Sequence, residues 1–326
     1  MAKLAPHGIV AIGASAGGVG ALRRLAAGLP PAFPWAIAIV LHVGRHESIL
    51  PELLSAAGPL PARHAEDGEA LRPGHIHVAP PDHHLVVEPG RLRLVRGPAE
   101  NNARPAIDPL FRSAAAAYGP AAIGVVLSGE LGDGAAGLIA VKRRGGIAVV
   151  QDPADAEFPS MPRTALRHAG ADHCVAVAAM PALLAGLARP QAPASAAGGK
   201  EGEMSAGYTL SAPHALTCPT CGGAVRETRE NGLTYFVCHI GHHFAAEDMA
   251  AAQRTELERA LEVALRALNE RAALCDRLAE GARGRRSHAA ERWQESAAEA
   301  RAGAEVLRRF LEERPGTPRV GAGGTP

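Results

Sequence analysis

Between Gly8 and Ala188, short β-branched runs alternate with segments of helical character, and that alternation leaves few folds open. A strand, a helix and a second strand make a parallel crossover, and a succession of such units makes a sheet covered by helices on both faces. Strands are predicted at Ile9–Gly13, Ala36–Leu41, His75–Ala79, Ile123–Leu127, Gly146–Val150 and His173–Val177. Helices are predicted at Val19–Ala27, Ser48–Ala57, Pro109–Tyr118, Ala135–Arg144, Pro162–His168 and Pro181–Leu187. Leu85–Val87 and Leu92–Val95 flank Glu88-Pro89-Gly90-Arg91, a turn that adds an antiparallel hairpin. The expected fold class is therefore α/β, a three-layer, doubly wound, mostly parallel sheet with an antiparallel hairpin. Only 3% of the residues are aromatic, so the core must be built from Ala, Val, Leu and Ile between closely spaced elements.

The composition changes after residue 188. Residues 189–215 are rich in Pro, Ala, Gly and Ser and bury too little to order themselves, so they are expected to be a flexible linker. Residues 216–250 hold a compact cysteine and histidine segment. Residues 251–313 carry two helical patterns separated by Gly281-Ala282-Arg283-Gly284-Arg285-Arg286. The first offers an apolar stripe of Leu257, Leu261, Ala264, Leu268, Cys275 and Leu278, interrupted by Arg271; the second offers Trp293, Ala297, Ala300, Ala304, Leu307 and Leu311. An antiparallel α-helical hairpin is expected, followed by a disordered tail over 314–326.

Charge removes some functions from consideration. Lys+Arg number 34 and Asp+Glu 33, so no global field draws the chain to nucleic acid or an anionic membrane. No run approaches the length of a membrane span, and the apolar run Gly8–Gly13 is short for a secretory signal. An odd number of cysteines, 5, with clustered spacing fits a reducing compartment, so a cytoplasmic location is expected.

Ile9-Val10-Ala11-Ile12-Gly13-Ala14-Ser15-Ala16-Gly17-Gly18 is a strand entering a glycine-rich turn ahead of a helix, and it contains G-x-S-x-G. Such a turn projects the serine beyond the sheet and supplies helix-start N–H groups to an oxyanion. It also resembles the glycine turn of short-chain dehydrogenases. That family's Tyr-x-x-x-Lys pair is absent, and the second strand ends at His42, not at an acid that would bind ribose. Two further strands end in complementary chemistry: Ala36–Leu41 delivers His42, and Ile123–Leu127 runs into Ser128-Gly129-Glu130-Leu131-Gly132-Asp133-Gly134. A serine hydroxyl needs an imidazole to take its proton, and the imidazole needs a carboxylate to fix its tautomer. Ser15, His42 and Asp133 are the candidate catalytic residues. Taken singly, each has a plainer reading, with Ser15 and Asp133 as helix caps and His42 as a turn residue.

Gly13-Ala14-Ser15-Ala16-Gly17-Gly18, the strand-end His42, Arg104-Pro105-Ala106-Ile107-Asp108-Pro109-Leu110-Phe111, Ser128-Gly129-x-x-x-Asp133-Gly134 and Met161-Pro162-Arg163 stand in the order seen in CheB-type chemotaxis methylesterases. The resemblance runs from about Ile9 to Leu187, making residues 1–188 the expected catalytic domain. It implies hydrolysis of glutamate γ-methyl esters on the cytoplasmic helices of chemoreceptors, with release of methanol and deamidation of selected glutamines. It also implies that Ser15, His42 and Asp133 form the triad, with no cofactor required for catalysis. Ala16, Leu41 and Glu130 stand where the family commonly has Thr, Gln and Met. The alternative is a signalling scaffold that keeps the fold without the activity. With the first strand at Ile9, no N-terminal receiver domain is expected ahead of it, so phosphorylation control would come from a separate response regulator.

Cys218-Pro219-Thr220-Cys221-Gly222-Gly223 and Cys238-His239-Ile240-Gly241-His242-His243 are two metal-binding knuckles in sequence. Cys218, Cys221, Cys238 and His242 are the expected ligands of a structural Zn²⁺, with His239 and His243 as alternative fourth ligands. A redox Cys-x-x-Cys would leave Cys238 unexplained. Zinc-ribbon-like extensions of this kind resemble those on some stand-alone methylesterase-like proteins. Together with the helical hairpin, the segment is read as an interaction module for receptor docking or self-association. Cys174 and Cys275 are read as small buried apolar residues. His75, His77, His83 and His84 form a histidine-rich patch with a strand-and-loop role rather than a metal site.

Overall fold

A computed structural model of the chain describes residues 7–43, 47–188, 216–230, 233–282 and 289–312. The expected linker at 189–215 and the tail at 314–326 lie outside the described residues.

Seven strands form one sheet: β1 (Ile9–Ala14), β2 (Ala36–Leu41), β3 (Ala62–His64), β4 (Ile76–Val78), and then, after the hairpin strands β5 (His84–Glu88) and β6 (Arg91–Val95), β7 (Ala122–Val126), β8 (Ile147–Gln151) and β9 (His173–Val175). Their order is β3-β4-β2-β1-β7-β8-β9, and every pairing is parallel. The hairpin β5–β6 is a separate two-stranded sheet rather than an excursion of the main one. It packs on α3 (Ile107–Tyr118), where Ser113 Oγ accepts the Val87 N–H at 3.0 Å. The short edge strand β3 was not legible in the sequence, because three residues carry no period.

β1 is buried at every position, as its uninterrupted apolar run requires. Val10, Ile12 and Ala14 join a core made with Leu22 and Leu25 of α1 (Gly18–Gly28), Leu54 of α2 (Leu50–Ala57) and Leu184 of α6 (Met180–Leu187). Ile9 and Ala11 face the other core, with Phe111 of α3, Leu138 of α4 (Ala135–Arg143) and Ala165 of α5 (Ser160–His168). Two cores, one on each face of the sheet, make the three layers. Small residues allow close approach of the layers: a Cβ on Gly13 would lie 2.3 Å from Ile107 Cγ2.

The chain winds from β1 towards β2, β3 and β4, then reverses to place β7 on the other side of β1. The carboxyl ends of β1 and β7 therefore border a topological switch point, where open α/β sheets form their binding crevices.

Residues 225–245 make a three-stranded antiparallel sheet of β10 (Val225–Glu230), β11 (Leu233–Cys238) and β12 (His243–Ala245). By compactness the chain divides into Met1–Ala250 and Ala251–Pro326, so this small sheet shares the unit of the large one. The second unit holds most of α7 (Ala246–Ala282) and all of α8 (Ala289–Glu312). Its seam is narrower than the sequence stripes suggested. Ala272, Cys275 and Ala279 are buried on α7, as are Ala297, Ala300 and Ala304 on α8, and Arg301 pairs with Asp276 across the two helices. Leu257, Leu278 and Trp293 are exposed instead, because alanines bring the helices too close for large side chains between them.

Cys174 also departs from expectation: it is exposed, because the short edge strand β9 leaves its position open to solvent. Among the described residues, no helix is long and apolar enough to cross a membrane.

Candidate active site

Three loops at the carboxyl ends of β1, β2 and β7 carry Ser15, His42 and Asp133. The β1–β2 register pairs Gly13 with Val40 and Ala14 with Leu41, so Ser15 and His42 leave the sheet side by side. The His42 N–H donates to Ala14 O at 3.2 Å, extending that pairing by one step. Ser15 is tied across the sheet as well. Its N–H donates to Ser128 O at 3.0 Å, while Ser128 Oγ donates to Ala16 O at 2.8 Å. Ser128 is held in turn by Gln151 Oε1, which accepts its N–H at 2.8 Å. The turn then closes at Gly17, which takes a left-handed φ of 71° before α1 begins. Ser15 is not the cap residue of α1, so its hydroxyl is not committed to that helix.

His42 Nε2 lies 2.8 Å from Asp133 Oδ2. A carboxylate accepts, so Nε2 carries the proton and Nδ1 keeps the lone pair. The side chain of His42 is 19% exposed and that of Asp133 only 2%, which leaves the imidazole reachable and its carboxylate partner dry. Asp133 is held by donors on both oxygens: Ile107 N–H at 2.6 Å on Oδ2, and Asn101 Nδ2 at 2.8 Å and Asp108 N–H at 3.1 Å on Oδ1. Burial alone would raise its pKa, but His42, the Ile107 N–H and the Asn101 amide outweigh burial and hold it below the usual carboxylate range. Among the described residues, no hydrogen bond joins Ser15 Oγ to His42.

The helix-cap role that the sequence left open for Asp133 falls to Asp108. Its Oδ1 accepts the Gly134 N–H at 3.1 Å and the Gly137 N–H at 2.7 Å at the start of α4, freeing Asp133 to face His42. Asp108 is fully enclosed, and burial together with the Asp133 charge pushes its pKa up to about 7. Asp108 and Asn101 were not among the candidate site residues. Asp108 stands in the Arg104–Phe111 motif, and the Asn101-Asn102 pair, at φ 50° and 59°, is the kind of sequence that tolerates left-handed backbone.

A third acid lies nearby. Asp248, in the first turn of α7, is 1% exposed, its Oδ2 has no hydrogen-bond partner, and a Cβ on Gly132 would lie 3.3 Å from that oxygen. Burial, followed by the charges of Asp133 and Asp108, raises its pKa to about 8. The folded chain thus keeps a proton on Asp248 that the unfolded chain releases near pH 4, so this residue erodes stability as pH rises from about 4 to about 8. Asp248→Asn is expected to leave stability unchanged at pH 4 and to gain on the order of 1 kcal/mol per pH unit above it, up to about pH 8. Urea unfolding at a series of pH values measures this, and a gain independent of pH would contradict it.

Cys218, Cys221, Cys238 and His242 offer ligand atoms that all lie within 4.8 Å of one another. Cys221 Sγ is 3.6 Å from Cys238 Sγ, and His242 Nδ1 is 3.7 Å from Cys218 Sγ and 3.4 Å from Cys238 Sγ. Tetrahedral Zn–S bonds of about 2.3 Å set sulfurs about 3.8 Å apart, so the donor set fits zinc. Two glycine turns shape the set, with Gly222 at φ 70° and Gly241 at φ 100°. Neither alternative histidine is in the set of four. The ring of His239 covers Gly223, and His243 stacks on Tyr235 with ring centroids 4.6 Å apart. In the histidine-rich patch, His77 is buried against Glu69 Oε1 at 2.8 Å, and His75 and His83 contact backbone carbonyls. Glu130 is exposed on the loop between Gly129 and Asp133.

Comparison with known proteins bears on residues 10–184, which match the family model described as CheB methylesterase. A protein-glutamate methylesterase/protein-glutamine glutaminase 3 of Anaeromyxobacter dehalogenans (strain 2CP-C) is 46% identical over 165 residues, 49% of this chain and 48% of that protein. A putative protein-glutamate methylesterase/protein-glutamine glutaminase of Leptospira interrogans is 38% identical over 170 residues, 52% of this chain and 88% of that protein. The chain thus spans about half the length of the first relative and most of the second. The crystal structure of the Thermotoga maritima CheB methylesterase catalytic domain matches 55% of this chain and 98% of that one, with 32% identity and a TM-score of 0.53.

Proposed function

The chain belongs to the CheB methylesterase family, and from that premise we propose that it hydrolyses glutamate γ-methyl esters on chemoreceptor cytoplasmic helices with Ser15 as nucleophile, His42 as base and Asp133 as the group that orients His42. The observation that carries this reading is the 2.8 Å contact between His42 Nε2 and Asp133 Oδ2, beside a serine at the next position on the neighbouring strand.

His42 Nδ1 takes the Ser15 hydroxyl proton as Oγ attacks the ester carbonyl, and the resulting imidazolium is stabilised by the Asp133 carboxylate. The proton then passes to the leaving oxygen, methanol departs, and an acyl-enzyme remains. Water, deprotonated by the same nitrogen, releases glutamate. The γ-carboxamide of a glutamine would follow the same course with ammonia leaving. The N–H groups of Ser15 and Gly18 are already engaged, whereas those of Ala16 and Gly17 have no protein partner among the described residues and are the proposed oxyanion donors. Each such donor is worth roughly 2.7–4 kcal/mol in the transition state.

The four-residue cysteine and histidine set is proposed to hold one structural Zn²⁺, whose four protein ligands would leave no position open for substrate. The helical pair of the second unit is proposed to dock a partner or a second copy of the chain, supported by the exposed Val263, Leu274, Val306 and Phe310.

The test is methanol release from methylated receptor membranes by the unaltered chain and by Ser15→Ala. Release that depends on Ser15 is expected; equal release from both would end the methylesterase reading.

A further inference from the structure

The small antiparallel sheet bonds to the loop that carries Asn101. The loop before α3 runs alongside β12: the Asn101 N–H donates to His243 O at 2.8 Å, and Asn101 Oδ1 accepts the Ala245 N–H at 3.0 Å. The other end of the same amide faces inward, with Nδ2 donating to Asp133 Oδ1 at 2.8 Å and to Asp108 Oδ2 at 2.9 Å. Asn101 is 4% exposed, so water does not compete for these bonds. Its orientation is not a free choice. A backbone N–H can only donate, so Ala245 requires the amide oxygen to face β12, and the NH₂ is then directed to the two carboxylates.

His243 immediately follows His242, which sits with the three sulfurs, and β12 leaves directly from that turn. We propose that Asn101 is a positioning residue through which the metal-binding segment holds the Asp133 carboxylate in register with His42. An ordered metal knuckle fixes β12, β12 fixes the Asn101 amide, and the amide donates to two buried acids 25 residues apart in sequence, holding them side by side with Asp133 as the ionised member. The C-terminal segment thereby becomes part of the support of the catalytic carboxylate rather than a passive appendage. This inference rests on the triad reading above.

Several charged groups face this pair of acids. They are His42 from the end of β2, Arg112 from α3, Glu100 from the loop before α3, and Asp248 and Glu247 from the start of α7. Arg112 is bonded to Glu100 at 2.7 Å. Losing the Asn101 NH₂ removes a shared donor from between two carboxylates, so the pair should retain a proton to higher pH. An Asp133 that holds a proton cannot stabilise the imidazolium.

The experiment uses the full-length chain loaded with Zn²⁺ and follows covalent labelling of Ser15 by a fluorophosphonate from pH 5 to pH 9. It compares the unaltered chain, Asn101→Asp and Cys238→Ser. Asn101→Asp keeps the oxygen that meets Ala245, loses the NH₂ and sets a third carboxyl group against Asp133 and Asp108 in its place. It is expected to retain the metal, to label at least about tenfold more slowly at neutral pH, and to move the acid limb of the profile up by about one pH unit. Cys238→Ser, which removes one of the four ligand atoms beside β12, is expected to move that limb in the same direction. A second readout is the downfield proton resonance of the His42 Nε2–H held by Asp133, expected to broaden in both variants. A profile of unchanged midpoint in Asn101→Asp, or a sharp resonance and unshifted limb in metal-free Cys238→Ser, overturns the coupling. Failure of the unaltered chain to label at all defeats the triad reading first and the coupling with it.

Discussion

Replacing Asp133 with asparagine is expected to lower the turnover of methanol release by about four orders of magnitude while leaving KM nearly unchanged. The size of the effect follows from the donors around the carboxylate. His42 Nε2–H and Ile107 N–H point at Oδ2, and Asn101 Nδ2 and Asp108 N–H point at Oδ1. A carboxylate accepts from all of them. A carboxamide has one oxygen, so whichever way it turns, its NH₂ meets two donors. The backbone N–H groups of Ile107 and Asp108 cannot change, and Asn101 is fixed by the Ala245 N–H. The group that can yield is His42, by moving its proton to Nδ1, which converts the nitrogen proposed to serve Ser15 from acceptor to donor. Steady-state methanol release from methylated receptor membranes measures the loss. A fall of less than about tenfold would mean that Asp133 does not set the histidine's tautomer.

The second large effect is expected at Cys238. Its sulfur lies 3.6 Å from Cys221 Sγ and 3.4 Å from His242 Nδ1, within the group of four ligand atoms. Backbone N–H groups of Ile240, Gly241 and His242 turn towards it, as a bound thiolate requires. Among the described residues of 216–245, the large side chains fully enclosed are Tyr235 and Phe244. Metal binding in zinc-finger peptides contributes ~10–16 kcal/mol, comparable to the whole stability of an ordinary domain. Cys238→Ser should therefore take the zinc content from one equivalent to none. It should also open the amides of β10, β11 and β12 to fast hydrogen exchange, with β1 and β7 still protected by their own cores. Zinc retained by the variant would refute the ligand assignment.

The alternation of strands and helices was legible because each element carries its own period, and observed boundaries differ from expected ones by a residue or two at most elements. Ser15, His42 and Asp133 were legible as chemistry at strand ends, since a doubly wound sheet collects its loops on one rim. Asn101 and Asp108 were not, because an asparagine in a loop and an aspartate in a first helical turn each have an ordinary local explanation. The wide apolar stripes assigned to α7 and α8 overstated their seam, because sequence spacing gives the face of a helix but not how closely a partner approaches it. The exposure of Cys174 was hidden for a related reason, since an edge position cannot be told from a central one by the residues themselves.

Local periodicity and spacing determined the layered α/β class, the separate cysteine cluster and the three candidate catalytic side chains, all signals contained within a few residues. Tertiary structure alone decided that Asp108 caps α4 and Asp133 faces His42, that His42 turns Nε2 to that carboxylate, that His242 rather than His239 or His243 lies with the three sulfurs, and that Asn101 bonds to both β12 and Asp133. Each of those depends on strand order and on contacts between distant residues, His42 with Asp133 across 91 positions and Asn101 with Ala245 across 144. No window of sequence holds both partners, so only the folded sheet could say which donor meets which acceptor.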